Sequence, residues 1–77
     1  MRILLAEDDK IIADGLCRSL RLGGYAVDCA ENGIDAETAL LTNTYDLLIL
    51  DLGLPKLPGL DVLRRLRARK SNTPVLI

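Results

Sequence analysis

Two short apolar runs in this chain end in carboxylates. Ile3-Leu4-Leu5-Ala6 runs into Glu7-Asp8-Asp9, and Leu47-Leu48-Ile49-Leu50 runs into Asp51, ahead of the turn-rich Gly53-Leu54-Pro55. In an open parallel sheet, functional groups gather in the crevice beyond the carboxyl ends of the strands. Glu7, Asp8 and Asp51 are therefore candidates for one shared site. Asp9 has a simpler account as the cap of the helix that follows, since an Asp side chain accepts from the first free N–H groups of a helix. Carboxylates brought together repel by about 4 kcal/mol per pair at ~4 Å and an effective dielectric near 20, so the cluster calls for a cation. Carboxylates, a backbone carbonyl and water form the all-oxygen ligand set that suits Mg2+. A bound metal would keep Asp51 ionised and neutralise an incoming phosphoryl group. The Asp51 carboxylate could then accept that group as an acyl phosphate.

The elements that must position these acids follow from periodicity. Residues 2–6 read as a strand buried on both faces, and Asp9 caps a helix whose apolar residues Ile12, Leu16 and Leu20 recur every four positions, until Gly23-Gly24 stops it. Tyr25 to Ala30 alternates, with Tyr25, Val27 and Cys29 opposite Asp28, as an edge strand would. Asn32-Gly33 turns the chain into a second helix, about 34–43, facing inward with Ala36, Ala39 and Leu40. The run at about 46–51 reads as a central strand covered on both faces and neighbouring the first. Pro55 and Pro58 keep the next loop out of helix, and Gly59 opens a third helix with Leu60, Leu63 and Leu66 inward and arginines outward. Ser71-Asn72-Thr73 ends it, and Pro74-Val75-Leu76-Ile77 begins a fourth strand.

Composition narrows the function classes. At 77 residues and 49% hydrophobic, the chain is one domain at most, and a domain of such size buries only about 60% of its unfolded surface. A net charge of −1 gives no overall attraction to nucleic acid or anionic membrane. The late cluster Arg64, Arg65, Arg67, Arg69 and Lys70 has no interleaved aromatic and reads as a solvated helix face. Cys17 and Cys29 lack metal-ligand spacing, and no His is present to complete a zinc site. They read as small apolar residues, reduced thiols in a cytoplasmic protein. No secretory signal pattern opens the chain, and no apolar run approaches the ~20 residues of a membrane span.

Taken together, Ile3-Leu4-Leu5-Ala6-Glu7-Asp8-Asp9, Asn32-Gly33, Asp46-Leu47-Leu48-Ile49-Leu50-Asp51-Leu52-Gly53-Leu54-Pro55 and Gly59-Leu60 resemble the receiver domain of a bacterial two-component response regulator, most closely the winged-helix, OmpR-like class. The resemblance covers the whole chain. It implies an α/β, flavodoxin-like (CheY-like) parallel sheet with helices on both faces and strand order 2-1-3-4-5. It also implies that Asp51 is the phosphoacceptor, that Asp8 binds Mg2+ directly, that Glu7 reaches the metal through water, and that the Gly53 backbone carbonyl is a further ligand. The implied partner is a sensor histidine kinase, and the parent protein is a DNA-binding transcription regulator whose DNA-binding domain lies outside these residues. The family's Ser or Thr at the end of the fourth strand, its Lys at the end of the fifth and its late aromatic have no counterpart here. Thr73 precedes the fourth strand, and neither Lys56 nor Lys70 follows a strand in the required place. The chain therefore reads as a C-terminally truncated receiver, with about three and a half of five strands.

Two other readings compete. A haloacid-dehalogenase-like phosphohydrolase would also place its nucleophile at a strand end, but needs an acid two residues later, where this chain has Gly53. Alternatively the fragment is an inactive, self-associating folding unit, a homodimer or larger assembly joined through Val75, Leu76, Ile77 and the sheet surfaces beside the first and third strands.

Overall fold

The computed structural model describes residues 1–77 as β1 (Arg2–Ala6), α1 (Lys10–Leu22), β2 (Ala26–Ala30), α2 (Gly33–Thr42), β3 (Leu47–Leu50), α3 (Gly59–Ala68) and β4 (Val75–Leu76). The sheet is parallel with order β2-β1-β3-β4. This is the flavodoxin-like arrangement expected from the sequence, with β2 at one edge and β3 beside β1.

The two sides of the sheet are covered unequally. Leu4, Ala6, Leu48 and Leu50 point to the α2/α3 side and join Ala36, Tyr45, Val62 and Leu66 in the larger core. On the other side Ile3 and Leu5 pack with Val27 against Ala13 and Cys17 of α1. Leu47 and Ile49 on that side are only half-buried, so β3 is covered fully on one face rather than on both.

Asp9 caps α1 as expected, its Oδ1 accepting from the N–H groups of Ile11 (3.0 Å) and Ile12 (3.1 Å). The inward face of α1 differs from the four-residue pattern of large apolar side chains: Ala13 and Cys17 are buried while Ile12 and Leu16 are exposed. Small residues on the contact line let the helix lie close to the sheet, and this turns the larger ones to its flank. α3 shows a similar rotation, burying Val62 and Leu66 and leaving Leu60 exposed.

Helices α1 and α3 end in the same hydrogen-bonded motif. After α1, the Gly24 N–H bonds Arg21 O and the Tyr25 N–H bonds Leu20 O; after α3, Lys70 bonds Arg67 O and Ser71 bonds Leu66 O. The motif requires a left-handed residue, supplied by Gly24 (φ 93°) in the first case and by Lys70 (φ 63°) in the second.

The arginines of α3 are more engaged than a solvated face. Arg69 pairs with Glu37 of α2, and Arg67 donates to the carbonyls of Ser71 (2.9 Å) and Thr73 (2.8 Å), holding the turn into β4. The cysteines are not independent small apolar residues: Cys17 and Cys29 are joined in a disulfide between α1 and β2. Val27 and Cys29 share the face of β2 that α1 covers, and this alternation brings the two sulfurs together.

Candidate functional site

Register builds the acidic site. β1 and β3 pair in parallel with Ala6 opposite Leu50, so the next residue on each strand, Glu7 and Asp51, emerges side by side. The Asp51 N–H donates to Ala6 O at 3.0 Å, and the Glu7 N–H donates to Ala30 O at 3.0 Å. The tips of β1, β2 and β3 are thus tied together beneath the acids. One carboxylate oxygen from each of Glu7, Asp8 and Asp51 lies within 4.8 Å of the other two. Asp8 is exposed, while Glu7 and Asp51 are half-buried.

The two half-buried acids respond to each other in opposite directions. Burial, then the hydrogen bond with Asp51 and its charge, raises the Glu7 carboxyl above its usual value. The Gly53 N–H, which donates to Asp51 Oδ1 at 3.2 Å, is foremost in holding Asp51 below its usual value, followed by the hydrogen bond from Glu7. Of the two, Asp51 is thus the stronger acid and Glu7 the weaker.

The loop after Asp51 is seated from two sides. Leu54 and Leu57 are buried in the larger core. The Gly33 N–H at the start of α2 donates to Pro55 O at 3.1 Å, and the Gly59 N–H donates to Leu52 O at 3.1 Å. A Cβ on Gly33 would overlap the carbonyl of Leu57, and one on Gly59 would overlap the carbonyl of Asp51. Both glycines are required by close approach. Lys56 turns the loop with φ 69°, and the Leu57 N–H closes back on Pro55 O at 2.8 Å. Gly53 itself is exposed, and a side chain there would rest 3.8–3.9 Å from the Asp51 carboxylate oxygens.

A family model for the response regulator receiver domain matches residues 3–77. The chain belongs to the response regulator receiver family. Response regulator protein PmrA of Pseudomonas aeruginosa is 53% identical across all 77 residues, which cover 35% of PmrA, so this receiver sequence spans about a third of that relative. Among solved structures, the Francisella response regulator 1452 receiver domain superposes with a TM-score of 0.93 at 35% identity, over 96% of this chain and 61% of that one. TrrA of Thermotoga maritima, solved in complex with Mg(2+)-BeF, gives a TM-score of 0.84 at 39% identity, over 90% and 60% of the two chains. TrrA has also been solved in complex with the histidine kinase ThkA, and there the TM-score is 0.87 at 36% identity, over 96% and 64% of the two chains.

Of the residues singled out from the receiver sequence, Glu7, Asp8 and Asp51 do converge, Gly53 lies against Asp51, and Asp9 turns away into its helix cap. The buried anchors Leu54 and Leu57 were not anticipated. Their signal was present as two leucines three apart in a proline-rich loop, where a solvated segment has no use for them. Beside the acids, Leu5, Leu16, Ile49, Leu52 and Ile77 line an apolar cleft of about 350 Å³ that reaches Glu7 and Asp51.

Proposed function

We propose that this chain is a phosphoacceptor module, taking a phosphoryl group from a sensor histidine kinase onto Asp51. The observation that carries this reading is the convergence of Glu7, Asp8 and Asp51 at the tips of β1 and β3, with the Gly53 N–H donating to Asp51 Oδ1 at 3.2 Å. With Oδ1 engaged by Gly53, Asp51 Oδ2 is the oxygen presented to phosphorus. It forms a P–O bond as the P–N bond of the donor phosphohistidine breaks, and the departing imidazole takes up a proton. Asp51 becomes an acyl phosphate.

The donor set fits Mg2+. Three carboxylates from two strand ends offer oxygens to one point, and a cation there would offset their mutual repulsion. We assign Asp8 and Asp51 as direct ligands, Glu7 as a ligand through water and the Gly53 carbonyl as a further oxygen. When bound, the ion neutralises charge on the phosphoryl oxygens during transfer.

The reading extends to the parent protein. We place the chain as a single receiver-domain segment of a longer, cytoplasmic, DNA-binding transcription regulator, supported by its 35% coverage of PmrA. No helix is long and apolar enough to cross a membrane. A second copy of the chain is a further partner in this reading, pairing along the β4 edge. Asp51 acts here as a carrier rather than an enzyme nucleophile, because Gly53 supplies no acid to drive turnover.

Incubation with Mg2+ and a small phosphodonor such as acetyl phosphate tests the reading. Hydroxylamine-sensitive phosphorylation at a single site is expected, in low yield because the Ser or Thr and the Lys that would orient and neutralise the phosphoryl oxygens have no counterpart in these residues. Steady release of phosphate from added monoesters, with no retained label, would favour a hydrolase instead.

A further inference from the structure

Cys17 and Cys29 lie on the α1 side of the sheet, away from the acids, and the phosphoacceptor reading makes no use of them. They differ sharply in access: Cys17 is 5% exposed among Ile3, Leu5, Ala13 and Val27, whereas Cys29 is exposed on edge strand β2. An open cavity at the junction is lined by Asp14, Cys17, Arg18, Arg21, Leu22 and Cys29. Arg21 is held there by its hydrogen bond to Val27 O at 2.9 Å, two residues before Cys29. Arg18 and Arg21 share this cavity with the Asp14 carboxylate.

We propose that Cys17 and Cys29 form a reversible thiol–disulfide modification site whose co-reactant is a low-molecular-weight disulfide of the glutathione class. Cys29, the exposed member, is the attacking thiolate. It bonds to one sulfur of the small disulfide and expels the other as a thiolate, leaving a mixed disulfide on Cys29. Cys17 then loses its proton, attacks the Cys29 sulfur and expels the second small thiolate. Two protein thiols become one disulfide, the external disulfide becomes two thiols after proton uptake, and two electrons pass between them. Excess small thiol runs the sequence backwards.

The joined segments flank the acid loop. Cys29 is followed by Ala30, whose carbonyl holds the Glu7 N–H, and α1 begins from the Asp9 cap two residues beyond Glu7. With a sequence separation of 12, closing the loop lowers the unfolded population on the order of a hundredfold.

The test exposes the 77-residue chain to graded ratios of reduced and oxidised glutathione, followed by alkylation and intact mass measurement. The native chain should pass from a doubly alkylated species to an unalkylated one two hydrogens lighter than the untreated reduced chain, and its urea midpoint should rise. Cys17→Ala should accumulate a glutathione adduct on Cys29, while Cys29→Ala should stay unmodified at buried Cys17. Rapid quenching of the native chain locates the transient adduct independently of either variant, and it should map to Cys29. Failure of the native chain to lose both free thiols at any ratio, or a transient adduct on Cys17, would overturn the proposal.

Discussion

Gly59, the first residue of α3, lies so close to Asp51 that a Cβ would overlap the Asp51 main-chain carbonyl. The helix that follows the Asp51 loop is thereby packed directly onto the backbone of Asp51. Gly59→Ala forces helix and strand tip apart, and overpacking of this kind costs about 1–3 kcal/mol. Urea denaturation should register that loss, with Mg2+ affinity falling alongside it. An unchanged midpoint and affinity would show that the loop absorbs the methyl group elsewhere.

Lys70 should be improvable. It occupies the left-handed position that Gly24 fills after α1, and a side chain there costs roughly 1 kcal/mol relative to glycine. Lys70→Gly is expected to raise stability by about 0.5–1 kcal/mol once the greater flexibility of the unfolded chain is counted. Chemical denaturation decides the sign.

Glu37 is 7% exposed, and its Oε2 has no hydrogen-bond partner. Its other oxygen is paired to Arg69, whose side chain keeps 30% of its exposure. Arg69→Ala would strand a buried carboxylate and should cost about 2–3 kcal/mol, short of the 3–5 typical of a fully buried pair. Glu37→Gln in the same background should restore part of it. Equal stabilities of the single and double variants would locate the loss in packing rather than charge.

How much of this could be read from the chain alone depends on the range of the signal. Strand runs ending in acids placed Glu7 and Asp51 correctly, because register in a parallel sheet follows once β1 and β3 are neighbours. The helix faces were read less well, since a pattern weighted toward large apolar residues selects Ile12 and Leu16 over Ala13 and Cys17. The Cys17–Cys29 bond and the seating of the loop on Gly33 depend on packing between elements, which no local spacing encodes.

Tyr45 and Asp28 give the fold a pH window. The Tyr45 hydroxyl donates to Asp28 at 2.7 Å, and Arg2 pairs with the same oxygen at 2.8 Å. Tyr45 first and Arg2 second hold Asp28 below its ordinary 3.8, while burial, then the bond to Asp28, pushes Tyr45 up to about 12. The Asp28 contribution is therefore present above pH 3.8 and lost as pH falls through its lower folded value. Tyr45 contributes fully below its ordinary 10.0 and loses that contribution as pH rises through about 12. Thermal melts across pH should show both limbs, and Tyr45→Phe should remove the alkaline one.

Size in solution addresses the exposed β4 edge. Light scattering on the 77-residue chain is expected to give a dimer or larger species that dissociates when Leu76 and Ile77 are replaced by Lys. A cooperatively unfolding monomer of 8.4 kDa would contradict the proposed self-association.

Substitution at Asp8 tests the proposed metal site. Asp8→Ala should weaken Mg2+ affinity at least tenfold in a titration, whereas Asp9→Ala should leave it within about twofold and cost instead about 1 kcal/mol of helix stability. Equal Mg2+ affinity in the native chain and Asp8→Ala would dismantle the assigned ligand set.

The central claim rests on where the phosphoryl group lands. Treatment with acetyl phosphate and Mg2+, followed by borohydride reduction and peptide mass spectrometry, reads the position directly. The acyl phosphate should be found on Asp51 alone, as reductive conversion of that residue, and Asp51→Asn should abolish it. Label retained in Asp51→Asn, or mapped to Glu7 or Asp8 in the native chain, would contradict the account.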